Sequence, residues 1–199
     1  KSMVTATLPS LISAVPINLN YRYVADELAY VWADADLSGT IAEATFAPVI
    51  TEVLGRLGHE ADMARHLVIN DGSNIGAGHS MTNYEDALAG QLSDRGFGQV
   101  RSADDLYVIY TGGTTGKPKG VMWRHEDIFF SAMGGGHYFE PITSPEQIID
   151  NAVDPAMPMN MTATAPLMHA AGQWVTMIAM FSGGTAVVYG GRSFDAADV

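Results

Sequence analysis

An α/β fold with a mainly parallel sheet flanked by helices is what this sequence predicts, and two features predict it. Helical and strand patterns alternate along the chain. The strand-like runs are unbroken and apolar, the signature of strands buried on both faces, with helices between them. Taken in order, Val24, Leu28 and Val31 make a short helical face. Phe46, Val49, Ile50, Val53, Leu54 and Leu57 make a longer one, with Thr45 placed to cap it. Leu67–Ile69 reads as a strand. Thr82 followed by Glu85 has the reciprocal capping spacing and opens a helix at Leu88. Leu106–Tyr110 is the clearest strand. Ile128, Phe129, Ala132 and Met133 predict a helix stopped by Gly134-Gly135-Gly136. Trp174, Val175, Ile178 and Ala179 predict another, stopped by Gly183-Gly184, and Thr185–Tyr189 reads as a third strand. Residues 72–78 and 141–158 are rich in turn formers and are placed as loops; the second stretch reads either as a linker or as one long surface loop. No internal repeat is visible.

Composition narrows the class. The chain has 199 residues, 47% apolar and 16% charged, enough for one domain with a sizeable core or two small lobes. A net charge of −12 repels nucleic-acid backbones, so no nucleic-acid partner is expected. It does not exclude a small anion, which is held by local backbone N–H groups and a lysine. There is no cysteine, which excludes disulfides, thiolate metal sites and a cysteine nucleophile. The first residues show no basic segment followed by a long apolar run, so no signal peptide is expected. The longest apolar run, Trp174–Phe181, is far short of the roughly 18 residues a membrane span needs. A cytoplasmic protein is expected.

The decisive segment is Tyr110-Thr111-Gly112-Gly113-Thr114-Thr115-Gly116-Lys117-Pro118-Lys119-Gly120-Val121, directly after the strongest strand pattern. Glycine lets the backbone approach a ligand closely. Successive N–H groups then form a nest for an anion. Threonine hydroxyls add donors, and lysine adds a mobile point charge. Pro118 stiffens the exit. The common P-loop is excluded, because Pro118 follows Gly116-Lys117 and Thr111 stands where its first glycine would be.

This segment resembles the signature loop of the adenylate-forming superfamily, Tyr/Phe-Thr-Ser-Gly-Ser/Thr-Thr-Gly-x-Pro-Lys-Gly. It departs once, with Gly112 at the usual serine. Lys117 falls at the variable position, so Lys119 is the lysine carried over. His125 also matches a histidine often seen after the loop, where bracing the turn is the expected role. Ala14-Val15-Pro16-Ile17-Asn18 and Glu27-Leu28-Ala29-Tyr30 resemble the region upstream. Ala165-Pro166-Leu167-Met168-His169-Ala170-Ala171-Gly172-Gln173-Trp174 resembles the Pro-Leu-x-His-x-x-Gly segment downstream, and Gly183–Val188 the turn after it. The similarity covers residues 14–199 and is greatest to bacterial acyl-CoA synthetases of the actinobacterial type.

The resemblance implies a fragment of the large N-terminal, AMP-binding domain, and the turn-rich stretch at 141–158 allows residues 1–140 and 159–199 to be two sub-lobes joined by a loop. It implies acyl-CoA synthetase chemistry: a carboxylic acid, fatty in the leading reading, is activated with ATP to an acyl-adenylate, then transferred to coenzyme A. Thr111, Gly112, Gly113, Thr114, Thr115, Gly116 and Lys119 would hold the β- and γ-phosphates with Mg2+ nearby, and His169 would sit beside the acyl carboxylate. Taken alone, a histidine at position 169 reads first as a buried one satisfied by backbone, and the resemblance turns the reading to a pocket role. The family's Mg2+ ligand, ribose-binding aspartate, hinge and catalytic lysine have no counterpart before Val199. The expectation is therefore that the chain is cut at Phe194–Val199 and does not complete adenylation alone. The rival readings are a non-catalytic nucleotide-binding domain and a ligand-free interaction segment.

The remaining candidates have plainer readings. His59-Glu60 with His66 lacks a zinc helix because Met63 stands where the second histidine belongs. Asp104-Asp105 reads as a solvated turn, Trp174 as core, and the scattered methionines as gap-fillers.

Overall fold

The computed structural model describes residues 14–73, 80–91, 100, 102–112, 116–133, 135, 142–153 and 158–189. Its first part is a helix-covered parallel sheet. Helix α1 (Ala25–Asp34) starts after Val24, whose N–H donates to Glu27 Oε2 at 3.2 Å. Asp26 and Glu27 in the first turn complement the helix dipole. Leu28, Val31 and Trp32 are buried, whereas Val24, expected on the same face, is 63% exposed because it stands outside the first turn. Strand β1 (Thr40–Glu43) leads through a 3-10 turn (Ala44–Phe46) into α2 (Ala47–Leu57). Ala47, Ile50, Val53 and Leu54 form the buried face of α2, as the spacing predicts. Thr45 does not cap it. Thr45 lies inside the 3-10 turn, and its backbone N–H donates to Asp71 Oδ2 at 3.1 Å. Gly58, at φ 74°, ends α2 in the left-handed conformation while His59 N–H reaches back to Leu54 O at 2.9 Å.

A 3-10 segment (Glu60–Arg65) precedes β2 (His66–Ile69), and β3 (Thr82–Asn83) runs into α3 (Tyr84–Ala89). The three strands pair in parallel in the order β1-β2-β3. The cap of α3 is Asn83, not Thr82: Asn83 Oδ1 accepts from Glu85 N (2.9 Å) and Asp86 N (3.2 Å). Thr82 is held extended by pairing with Leu67, one residue too early to cap. The core joins Leu28, Val31, Trp32, Ala42, Ile50, Val53 and Leu54. Each large aliphatic or aromatic side chain fully buried there stabilises the fold by about 1.5–3 kcal/mol.

The second part is built on β4 (Leu106–Thr111) and β5 (Lys119–Arg124). They pair antiparallel from Leu106↔Arg124 to Thr111↔Lys119. The two other sheets among the described residues are parallel, so the longest pairing described is the antiparallel one. The expected α/β class stands, and this hairpin is the addition to it. Ile17 forms a parallel bridge to Val108 on the other side of β4. Helices α4 (His125–Ala132), α5 (Pro145–Val153) and α6 (Ala170–Phe181) follow, with β6 (Met161–Thr162) paired in parallel to β7 (Ala186–Val187). Strand β7 is shorter than the run Thr185–Tyr189. Gly134 and Gly136, expected to stop α4, and residues 74–78 of the expected loop lie outside the described residues.

The stretch 141–158 is not a plain loop, since α5 fills its middle and lies against α6. Gln147 Oε1 accepts from Thr143 N at 2.6 Å and Ser144 N at 3.3 Å, occupying donors at the helix start. Ser144-x-x-Gln147 with proline first in the helix is the sequence signal that marks it. The second core joins Tyr107, Ile109, Ile128, Met133 and Met177, with Trp123, Phe129, Trp174 and Phe181 packed against it. Side chains from both sides of 141–158 thus share one core. Gly183 (φ 70°) closes α6, and Gly184 N–H bonds to Ala179 O at 2.9 Å. No helix among the described residues is long and apolar enough to cross a membrane.

Candidate functional site

Strand β4 carries its buried residues, Tyr107, Val108 and Ile109, straight to an exposed end at Thr111. The last ladder pair, Thr111↔Lys119, makes the Thr/Gly segment the tip of the β4–β5 hairpin. Thr111, Gly112, Gly116, Lys117 and Lys119 are all exposed. Gly113, Thr114 and Thr115 lie outside the described residues. Among the described residues, a Cβ added at Gly112 or Gly116 would meet nothing within 4 Å, and neither residue has positive φ. Packing against the described residues therefore does not require glycine at either position. What the missing side chains leave is open backbone N–H that an incoming group can approach. Gly120 differs, because its Cβ would come within 3.1 Å of the Tyr110 ring.

Tyr110, one pair below the tip, anchors that end of the hairpin to α1. Its hydroxyl donates to Asp34 Oδ2 at 2.6 Å. Burial, then the bond to Asp34, pushes the Tyr110 hydroxyl far above the ordinary phenol range, so it stays a donor. The Lys117 ammonium lies 4.5 Å from the centre of the Tyr30 ring, on the same helix as Asp34. Lys117 is thereby engaged with α1, while Lys119 opens β5 at the loop's exit.

His169 stands at the N-cap of α6 and is exposed, not a buried histidine satisfied by backbone. Its side chain makes no capping bond; its N–H donates to Pro166 O (2.9 Å) and its carbonyl accepts from Gln173 N (3.2 Å). The turn before it lies directly on the first turn of α6. A Cβ at Gly172 would sit 2.6 Å from Ala165 O and 2.7 Å from Pro166 O, so only glycine fits. Gln173 is buried beside it, its Nε2 donating to Leu167 O at 2.9 Å and its Oε1 accepting from the Tyr107 hydroxyl at 2.5 Å. Burial pushes Tyr107 up to about 12, with the nearby Trp174 indole acting the other way. The Trp174 Nε1–H itself is buried and, among the described residues, meets no acceptor at hydrogen-bonding geometry.

The predicted residues thus fall into two groups. Thr111, Gly112, Gly116 and Lys119 meet at the hairpin tip. His169 sits on a separate turn, and among the described residues no hydrogen bond joins it to the loop. Tyr107 connects the two: it is bonded to Gln173 and lies four residues before Thr111, about 13 Å along an extended strand. Asp34, Tyr107 and Gln173 were not singled out from sequence. The signal for Gln173 is a primary amide inside Ala-Ala-Gly-Gln-Trp-Val-Thr-Met-Ile-Ala-Met-Phe, an otherwise almost wholly apolar helix.

Of the other candidates, the backbone N–H of His125 donates to Asp105 O at 2.8 Å, where β4 begins and β5 ends, at the far end of the hairpin from residues 111–119. Trp174 packs on the second core. Asp104-Asp105 is more than a solvated turn: Asp104 Oδ1 pairs with Arg124 Nε at 2.6 Å, and Asp105 Oδ2 accepts from Ser102 N at 3.2 Å. His66 is buried on β2, 3.1 Å from Thr40 Oγ1, with the 3-10 segment between it and His59.

Fit to the implied ligands can be judged from these donors. Exposed glycine backbone, a threonine hydroxyl and a lysine match phosphate oxygens. Among the described residues no group of three or more His, Asp or Glu converges as a metal cage would require. A magnesium ion that arrives with a nucleotide takes most of its ligands from phosphate and water.

The family described as AMP-binding enzyme matches residues 9–199. The chain is 40% identical over 175 residues to the medium-chain acyl-CoA ligase Mig of Mycobacterium avium, a match covering 86% of this chain and 31% of that protein. It is 36% identical over 183 residues to a 3-oxocholest-4-en-26-oate–CoA ligase of Rhodococcus rhodochrous, covering 89% of this chain and 32% of that one. It therefore spans about a third of the length of these relatives. The crystal structure of the anthranilate CoA ligase AuaEII in complex with anthranoyl-AMP shares its fold, with a TM-score of 0.66 at 21% identity, over 88% of this chain and 30% of that one. With Thr111, Gly112, Gly116 and Lys119 of its signature segment exposed at the end of the β4–β5 hairpin and the match running over residues 9–199, this chain belongs to the AMP-binding enzyme family.

Proposed function

We propose that this chain supplies the phosphate-gripping and acid-side elements of an AMP-forming acyl-CoA synthetase acting on a medium- or long-chain fatty acid or a similarly apolar acid. The observation that carries the reading is the hairpin tip, where Thr111, Gly112, Gly116 and Lys119 are exposed together at the end of a buried strand. The relatives named as medium-chain acyl-CoA and 3-oxocholest-4-en-26-oate–CoA ligases support the substrate class.

In the first step a carboxylate oxygen attacks the α-phosphorus of ATP. The bond from Pα to the bridging oxygen breaks, and pyrophosphate leaves. In the second, the thiol sulfur of coenzyme A attacks the acyl carbonyl, AMP departs and the thiol proton is lost. Magnesium, when bound, supplies charge neutralisation on the phosphates. The chain's own part is positional. The residues Thr111–Gly116 hold the β- and γ-phosphates by hydroxyl and backbone N–H donors, and Lys119 offsets their charge. His169, exposed at the start of α6, stands on the side of the acid. Tyr110, bonded to Asp34, holds the strand end just below the tip while the tip is loaded.

Calorimetry of ATP with Mg2+ against wild type and Lys119→Ala tests the phosphate site, with at least a tenfold loss of affinity expected in the variant. Acid-dependent pyrophosphate exchange, in the protein as the cell makes it, tests the chemistry. Binding without exchange would favour a non-catalytic nucleotide domain. No heat with either protein would leave only an interaction role.

A further inference from the structure

We propose that Gln173 is a positioning residue: it ties the turn that carries His169 to the strand that delivers the Thr/Gly loop, and so sets the acid side of the site against the nucleotide side. Its catalytic meaning rests on the acyl-activating reading above.

Gln173 is 5% exposed, on the buried face of α6 one turn after His169. A primary amide in that position is costly unless both its ends are bonded. Both are. The Leu167 carbonyl can only accept, so the amide nitrogen must face it, at 2.9 Å. That leaves Oε1 towards Tyr107, whose hydroxyl must then be the donor, at 2.5 Å. The direction of the chain of bonds is therefore determined at every link, and Tyr107 must keep its proton for the last one.

The two ends of this tie belong to the two halves of the site. Leu167 is in the turn that closes with His169 N–H on Pro166 O. Tyr107 is on β4, which ends at Thr111. Gly172 adds a steric clamp, because residues 165 and 166 rest where its side chain would be. The turn cannot slide along α6 without a clash, and α6 cannot shift on β4 without leaving a buried hydroxyl and a carbonyl unpaired. A leucine at 173 would satisfy burial alone. Only a side chain with a donor and an acceptor at its end can join Leu167 to Tyr107.

The test uses Gln173→Leu, Gln173→Glu and Tyr107→Phe in the protein as the cell makes it. Three quantities are read: hydrogen exchange of the amides of 167–173, the Kd for ATP with Mg2+, and kcat for acid-dependent pyrophosphate exchange at saturating substrates. Expected for Gln173→Leu is exchange at least tenfold faster in 167–173 with β4–β5 unchanged, a Kd within twofold of wild type, and a kcat at least tenfold lower. Gln173→Glu, which loses the donor to Leu167, should fall with it. Tyr107→Phe should fall less, and adding it to Gln173→Leu should change nothing further, because the tie is already cut. A folded Gln173→Leu with kcat within twofold overturns the proposal, as does a Kd that rises in step with the loss of kcat, which would mean general loosening. If Gln173→Leu does not fold, Tyr107→Phe and Gln173→Glu decide by the same measures. A wild type that binds ATP but exchanges pyrophosphate with no acid sinks the acyl-activating reading and the catalytic role with it; unchanged amide protection in the variants sinks the tie itself.

Discussion

Replacing Gly172 by alanine tests the way the His169 turn is seated. In an open helix the change would stabilise, by about 1 kcal/mol, because alanine loses less backbone freedom than glycine. Here the new Cβ would sit 2.6 Å from Ala165 O, 2.7 Å from Pro166 O and 3.0 Å from Pro166 C. All three are well inside the ~3.5 Å optimum for non-bonded heavy atoms. They are backbone atoms, which cannot turn aside as a side chain would, so the overpacking cost lies toward the upper part of the usual range of about 1–3 kcal/mol. The expected net effect is a destabilisation of about 1–2 kcal/mol, or roughly 2–8 °C in Tm for a chain of this size. Gly55→Ala in α2 is the internal control. Its Cβ would meet only Glu60 Oε1, at 3.2 Å and at the end of a flexible side chain, so it should stabilise by about 0.5–1 kcal/mol. Urea unfolding followed by tryptophan emission, with calorimetric scans, reads both. If Gly172→Ala raises Tm as Gly55→Ala does, the turn does not rest on α6 and the seating of His169 must be rethought. If the seating holds, Gly172→Ala should also lower acid-dependent pyrophosphate exchange more than it lowers affinity for ATP.

Three further outcomes follow from the geometry. Tyr107 is held at about 12 against 10.0 for the free group, chiefly by burial; the folded chain keeps that proton more tightly, so the stability it contributes is complete below pH 10 and is lost as pH rises through 12. Tyr107→Phe should therefore show a shallower alkaline loss of stability over that window in circular dichroism at fixed urea, and superimposable profiles would contradict this. Asn83→Ala should cost about 1 kcal/mol and Thr82→Ala much less, since Asn83 Oδ1 holds the first amides of α3; equal losses in denaturant titrations would restore Thr82 as the cap. Lys117→Ala should cost at most about 1 kcal/mol of stability, as its ammonium rests on the Tyr30 face, and should weaken ATP binding less than Lys119→Ala; the reverse order in calorimetry would exchange the roles of the two lysines.

Much of this molecule was open to reading before any coordinates. The buried faces of α1 and α2, the strand at 106–110 and the helix over 174–179 appear where hydrophobic spacing puts them. Helical and strand periods are local, so one segment's residues suffice to reveal them. The phosphate segment was legible for a related reason. Its glycines, threonines and lysines must be contiguous to present adjacent backbone donors, and contiguity is a property of sequence. Helix α5 also has a local signal, Ser144-Pro145-Glu146-Gln147, but the prolines around it carry an equally local loop signal that masks it.

What the sequence by itself determined is the identity of the loop and the strand that leads to it. What only the tertiary structure decided is how that strand is held. Strand β5, with a glycine and two terminal cations in Lys-Gly-Val-Met-Trp-Arg, has little strand pattern of its own and is extended because β4 offers it a ladder. Asn83 rather than Thr82 caps α3 because pairing with β2 keeps Thr82 extended. The bonds from Tyr110 to Asp34, 76 residues away, and from Tyr107 to Gln173, 66 residues away, leave no local trace at all. A hydrogen bond between side chains brought together by packing depends on where two distant backbones come to rest, and nothing in either segment alone encodes that distance.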